Sequence, residues 1–303
     1  MSAAAAAERR SGLLVAAAAF VLWGLMPLFW HLLKAVPSLQ IVAHRIVWGA
    51  LMVGAWLLWK QGRGWLRAIL ARPRAAGMLA LSGLLIAFNW GLYIWAVNAG
   101  HVVETSLGYF INPLLNVVLG VAFLHERLNR TQWAAVGLAT AGVAWLALRY
   151  GQPPWIALAL ALSFGLYGLV RKLVAVDAVA GLGAESVYLF LPALALMLWG
   201  ESHGMGGFLG GWGWRLDLLL VLGGALTALP LIGFAYAVRR VPLSVVGLMQ
   251  YIAPTLQFLL GVLFFREPFD ATRAFGFACI WAGLAVFAGE GLWRSRRPVV
   301  PAT

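Results

Sequence analysis

Charge is scarce in this sequence. Only 11% of its 303 residues are Asp, Glu, Lys or Arg, against 63% hydrophobic, and the mean hydropathy is +0.88. A soluble core does not have this composition, so the chain reads as an all-α, polytopic integral membrane protein. At about 20 residues per span the length holds at most about a dozen helices, which leaves a single transmembrane domain over 1–303. Cysteine is nearly absent too. Cys279 stands alone in an apolar run, which excludes a disulfide framework and a cysteine metal site. Acid clusters are missing as well: there is no Asp-rich motif, no HExxH and no GxSxG, and His31, His44, His101, His125 and His203 are scattered. A multispan prenyl- or acyltransferase needs grouped acids for magnesium diphosphate, or a histidine with an acid partner at the membrane face. The expectation is therefore no enzyme, no cofactor and no metal.

What is present is a series of apolar runs between breakers. They predict helices near 12–34, 39–59, 76–98, 102–124, 131–149, 154–174, 183–200, 216–238, 243–265 and 271–291. The basic start "ERRSGLLVAAAAF" resembles a signal peptide, but its apolar run continues through "VLWGLMPLFWHLL" and is read as a retained first span. With the N-terminus inside, sixteen of the 22 Lys and Arg residues fall in inner segments. The positive-inside rule then places both termini in the cytoplasm and favours an even number of spans. The same count explains the net charge of +12 by topology. The basic residues sit in short loops rather than on a soluble face with stacking aromatics, so nucleic acid is not an expected partner. Membrane lipid and a small solute are.

Sliding the chain on itself by 141 positions aligns "YFINPLLNVVLGVAFLHERLNRTQWAAVGLATAG" with "QYIAPTLQFLLGVLFFREPFDATRAFGFACIWAG" without a gap. Pro113 meets Pro254, Leu115 meets Leu256, Gly120 meets Gly261, Glu126 meets Glu267 and Gly142 meets Gly283. The same shift pairs Gly24 with Gly165, Gly83 with Gly224 and Leu107 with Leu248. A duplicated five-helix unit accounts for this, with one repeat over about 12–149 and the other over about 154–291. An odd number of spans per unit makes the second copy enter from the opposite side. Inverted repeats recur in secondary transporters, with the solute site near mid-membrane at the repeat interface. Transport is the inference, with a carrier ahead of a passive channel.

Tyr109, Asn112 and Asn116 share one face of the fourth span, and the repeat sets Gln250 and Gln257 in register with Tyr109 and Asn116. Pro113 and Pro254 deprive the carbonyls of Tyr109 and Gln250 of their usual helical donor, which membrane helices tolerate only where protein, water or a ligand makes up the bond. Two amide stripes about one axis are expected to line a solute cavity; the competing role is helix packing through interhelical hydrogen bonds. Trp23, Asn89, Tyr93, Tyr167 and Tyr251 join them as candidates, with Asn89 and Tyr93 one helical turn apart at mid-span. Trp90 and Tyr236 are weaker ones, because most of the sixteen tryptophans belong to the interfacial belt. Such a pocket suits a flat or amphipathic organic solute better than a bare ion. The acids lie at span ends or in loops, so no buried carboxylate is expected as a proton relay; Glu104 and Glu185 open their helices, where the dipole alone justifies them. Arg45 has three open roles: it snorkels outward, pairs with an acid such as Glu104, or binds an anionic group of the solute. Arg45 and Glu104 are the candidates for coupling or gating.

With "AHRIVW", "NWGLYIWAVNAGHVVETSLGYFINPLLNVVLG" and the following "ERL" in view, the chain resembles RarD-type members of the EamA group in the drug/metabolite transporter superfamily. The likeness runs from the first span to "WAGLAVF", and "ETSLGYFINPL" is its most specific part. It implies ten helices in two inverted halves, a central cavity lined mainly by spans 1, 3, 4, 6, 8 and 9, and export of small organic metabolites or drugs across the bacterial inner membrane. Amino-acid export is the nearest rival within the superfamily. The second copy departs from the first where Asn112 becomes Ala253 and Arg127 becomes Pro268, so strict symmetry of the site is not expected.

Overall fold

The computed structural model describes residues 3–62, 64–125, 128–151, 153–174, 176, 178–238, 240–241 and 249–296. Residues 243–248 of the expected ninth span lie outside this set. So do Arg63, Glu126, Arg127, Asp177, Arg239, Leu248 and Arg297, which entered the charge and repeat arguments.

Among the described residues the chain is helical throughout: α1 (Ala3–Leu32), α2 (Ser38–Gln61), α3 (Gly64–Leu70), α4 (Pro73–Asn98), α5 (Val102–Leu124), α6 (Arg130–Tyr150), α7 (Trp155–Leu173), α8 (Ala178–Ser202), α9 (Trp214–Val238), α10 (Ile252–Leu259, running on as a π-helical turn over Leu260–Phe264) and α11 (Ala271–Arg296). All but α3 and α10 are long and apolar enough to cross a membrane; the apolar stretch Ile252–Phe264 is shorter. The breakers act as their chemistry requires. Pro73 opens α4, where its missing N–H was an orphan anyway. Asn129 and Gln132 form a reciprocal capping box at the start of α6, and Gly151 closes that helix in the left-handed region at φ 68°. The short α3, expected as loop, forms because Trp65 and Ile69 fall one turn apart and both bury.

Leucines and aromatics such as Leu14, Leu84, Phe88, Leu148, Leu191 and Leu263 cover the outside, each more than half exposed, as a lipid-facing surface requires. This is a multi-pass membrane protein. Helices α2 and α5 are its most buried spans, and α2 packs on both α8 and α9. The other main contacts are α6 on α11, α5 on α7, α1 on α10, α4 on α7, α1 on α9, α4 on α8 and α5 on α10. Backbones meet closely at small residues. A methyl on Gly142 of α6 would stand 2.6 Å from the Gly276 carbonyl oxygen of α11, and one on Gly283 of α11 would stand 2.6 Å from the Ala135 carbonyl oxygen of α6.

Candidate functional site

The largest fully buried side chain belongs to Trp30, and beside it lies the least expected charge. Arg45 is two turns inside α2 and only 8% exposed. Its Nε donates to Thr227 Oγ1 of α9 at 2.8 Å, and the Thr227 hydroxyl in turn donates to the Gly223 carbonyl at 2.9 Å. The guanidinium lies over two indoles, 4.1 Å from the Trp90 centroid and 5.1 Å from that of Trp30. Tyr93 and Tyr109 pack in the same cluster as Trp30 and Trp90, edge to face with each other at 5.7 Å. Two of the roles left open for Arg45 are therefore overturned. It does not snorkel outward, because α1, α4 and α9 enclose it. It does not pair with Glu104 either: that carboxylate accepts from the Ile156 backbone N–H at 3.0 Å and caps α7.

Glu185 corrects a second expectation. The apolar run suggested a helix from residue 183, with this acid at its mouth, but α8 begins at Ala178 and carries the carboxylate two turns inward to 1% exposure. A buried carboxylate therefore does exist. It accepts from Ser82 Oγ of α4 at 2.6 Å and Tyr167 OH of α7 at 3.4 Å, and pairs with Arg171 at 3.6 Å. Gly181, one turn earlier, leaves the room Arg171 needs: a methyl there would overlap the guanidinium, 1.7 Å from a terminal nitrogen. Arg45, Glu185, Trp90 and Thr227 all line one small cavity of about 20 Å³, enough for roughly one water.

The other candidates separate into groups. Tyr93 and Tyr109 join Arg45, whereas Asn89 spends its amide nitrogen on Leu160 O at 3.0 Å and Ser163 Oγ at 2.9 Å, so it straps α4 to α7. Tyr167 belongs with Glu185. Asn112 is buried, and among the described residues its Oδ1 has no partner. Asn116 is exposed, its Oδ1 lying over α7 beside Gly165, 3.4 Å from where a methyl on that glycine would be. Gln257 ties α10 to α1 by donating to the Trp23 carbonyl at 3.2 Å, and its Oε1 is buried with no partner among the described residues. Trp23 packs at a tilt against Phe20 and Phe234, with centroids at 5.5 and 6.2 Å. Gln250 is exposed. Tyr251 packs with the α5, α6 and α11 cluster around Phe110 and Phe277, away from Arg45. Tyr236 meets Ser11 at an exposed end under the Arg240 guanidinium.

Pro113 is interior to α5 as expected, but Pro254 is not interior to a helix. It stands in the first turn of α10, and the Gln250 carbonyl accepts from the Ala253 N–H at 3.3 Å, so that carbonyl is not left without a donor. Pro113, aligned with it by the 141-residue shift, lies inside a helix; Pro254 begins one.

Sequence reasoning missed Trp30 and Thr227 and placed Trp90 low. A threonine inside the apolar run of the eighth expected span was a signal; a tryptophan among sixteen was not. It also missed a loop contact. Glu267, between the π-helical turn and α11, accepts from the N–H groups of Val102 and Val103 at 2.6 and 2.8 Å and so caps α5. Burial holds its carboxyl above the usual carboxylate range, while those two N–H groups pull the opposite way. Glu267 and Glu104 both line a groove of about 420 Å³ with His101, Trp155 and Arg273.

The model of the EamA-like transporter family matches this chain twice, over residues 10–148 and 154–289. The chain belongs to the EamA-like transporter family. Protein RarD of Streptomyces exfoliatus is 49% identical over 290 residues, covering 96% of this chain and 92% of that one. The transporter YojE of Bacillus subtilis is 45% identical over 287 residues, covering 93% and 94%. These relatives make it a RarD-type EamA protein, as the motif resemblance implied, and place it in a family of transporters. A solved crystal structure of a protein 22% identical superposes with a TM-score of 0.61 over 95% of this chain and 99% of the other, which supports the fold. In this EamA protein the charged core draws on α2, a span outside the set that the resemblance implied for the cavity.

Proposed function

We propose that this EamA protein is a secondary carrier of the bacterial inner membrane that exports small organic solutes by alternating access. In this reading ten spans form two inverted five-helix repeats with both termini cytoplasmic, and Ile252–Phe264 is the described part of the ninth span. The observation that carries it is the recurrence of helix packing under the 141-residue shift. Shifted by that amount, α4 becomes 214–239, α2 becomes 179–202 and α6 becomes 271–291, close to the bounds of α9, α8 and α11. The contacts follow: α5 on α7 answers α10 on α1, α4 on α7 answers α9 on α1, and α2 on α9 answers α8 on α4. The close pairs Gly142–Gly276 and Ala135–Gly283 exchange under the same shift. Two matches of one family model to the two halves give further support. The unpartnered amide oxygens of Asn112 and Gln257 favour a cavity between α5 and α10, because a buried amide in a packing role has its bonds filled.

Counterflow in proteoliposomes tests the function. Vesicles loaded with a mixed pool of amino acids, aromatic metabolites and amphenicols are expected to take up at least one labelled external solute, saturably and with trans-stimulation. Asn112→Ala and Asn116→Ala are each expected to cut that exchange severalfold in protein of unchanged thermal stability. Saturable flux without trans-stimulation would point to a channel, and unchanged flux in the two variants would remove the amides from the path. The topology is tested separately. In a Cys279→Ala background, Leu128→Cys is expected to react with an impermeant maleimide from the cytoplasmic side and Phe269→Cys from the outer side; both reacting from one side would refute the inverted repeat.

A further inference from the structure

Arg45 carries the site's least satisfied chemistry. Among the described residues its guanidinium makes one hydrogen bond, through Nε to Thr227, and no carboxylate pairs with it. The nearby carboxylate on the same cavity, Glu185, is held by Ser82, Tyr167 and Arg171. Two further donors of this cluster are buried and unpartnered, the Trp30 indole Nε1 and the Tyr93 hydroxyl, at 1% and 5% exposure. Unsatisfied donors in a membrane interior are uncommon, because nothing in hydrocarbon replaces the lost bonds. Here an arginine and two neutral donors gather with no anion to receive them. The geometry also selects a shape. Indoles near the guanidinium at 4.1 and 5.1 Å restrict approach to its face, and Thr227 occupies the Nε edge, so the paired Nη edge is what is left for a ligand. That edge binds a planar carboxylate by two parallel hydrogen bonds.

We propose that Arg45, with Trp30 Nε1 and Tyr93 OH, is the subsite that binds the carboxylate of the transported solute. The substrate class is thus small organic carboxylates. This rests on the carrier reading above, since the adjoining cavity of about 20 Å³ admits water but no solute until the helices part.

The test has a binding arm and a transport arm. Purified protein is titrated with benzoate and, as the neutral isostere, benzamide, following tryptophan fluorescence; counterflow is run with a panel of labelled carboxylates and their amides. Benzoate is expected to bind saturably and benzamide at least tenfold more weakly, with carboxylates exchanging and amides not. Arg45→Met should abolish both benzoate binding and exchange, and Arg45→Lys should restore part of each. If Arg45→Met fails to fold, Tyr93→Phe, which keeps its ring, and Trp30→Phe, which keeps a smaller aromatic ring, remove one donor each and should weaken binding severalfold. Benzoate binding without exchange of any solute would sink the carrier reading and leave the subsite standing. Exchange of neutral or cationic solutes unaffected by these variants, or no preference for benzoate over benzamide, would overturn the subsite.

Discussion

Glu185→Ala is expected to lower the stability of the detergent-solubilised protein by about 3–5 kcal/mol, the usual result of removing one partner from a buried ion pair. The carboxylate is 1% exposed and Arg171 only 15% exposed, so water cannot replace it freely, and the Tyr167 hydroxyl loses its acceptor while Ser82 is left with the Leu79 carbonyl. Glu185→Gln should be milder: an amide oxygen still accepts from Ser82, while the attraction to Arg171 is gone. Thermal unfolding of Glu185→Ala, Arg171→Ala and the double variant separates these effects. The double variant should be more stable than the sum of the single losses implies, by about 1 kcal/mol or more. Strict additivity would mean that the two residues act independently and that the pair does not hold α7 to α8.

Gly224→Val should be as damaging for a steric reason. A methyl at Gly224 would stand 2.5 Å from Trp48 Cβ and 2.7 Å from the Gly49 nitrogen. Two of the three nearest atoms are α2 backbone, so no rotamer change relieves the overlap and the helices must separate. Overpacking of this kind costs about 3 kcal/mol. The separation also pulls Thr227, one turn along α9, from Arg45, one turn back along α2. Gly54 is the internal control. Nothing lies within 4 Å of a methyl there, so Gly54→Ala should be neutral or stabilising by up to about 1 kcal/mol. Equal unfolding temperatures for Gly224→Val and wild type would show that the close approach of α2 and α9 is not required.

The residues that made the fold legible are those whose cost is local. An apolar run must be helical to satisfy its backbone in lipid, so the expected span at 102–124 matches α5 and that at 76–98 lies within α4. The misread bounds have physical causes. At α8 the glycines Gly181 and Gly183 read as breakers in the sequence, yet both lie inside the helix, and that error hid Glu185. Pro254 looked like its repeat partner Pro113, yet a proline starts a helix as readily as it interrupts one, and only the backbone around it decides which. Tyr93, Tyr109 and Arg45 stood out as polar groups in apolar runs; Trp30 and Trp90 could not stand out among sixteen tryptophans.

Composition and periodicity determined by themselves that this is a helical membrane protein, because lipid exposure and backbone satisfaction act on each segment separately. Whether a polar side chain is spent or open was decided by tertiary structure alone. Asn89 is filled by α7 and Glu104 by the start of the same helix, while Arg45 keeps one edge open. A hydrogen-bond partner 70 or 180 residues away along the chain leaves no mark on local pattern, and only the packing of α2 against α9 and of α4 against α7 brings it within reach.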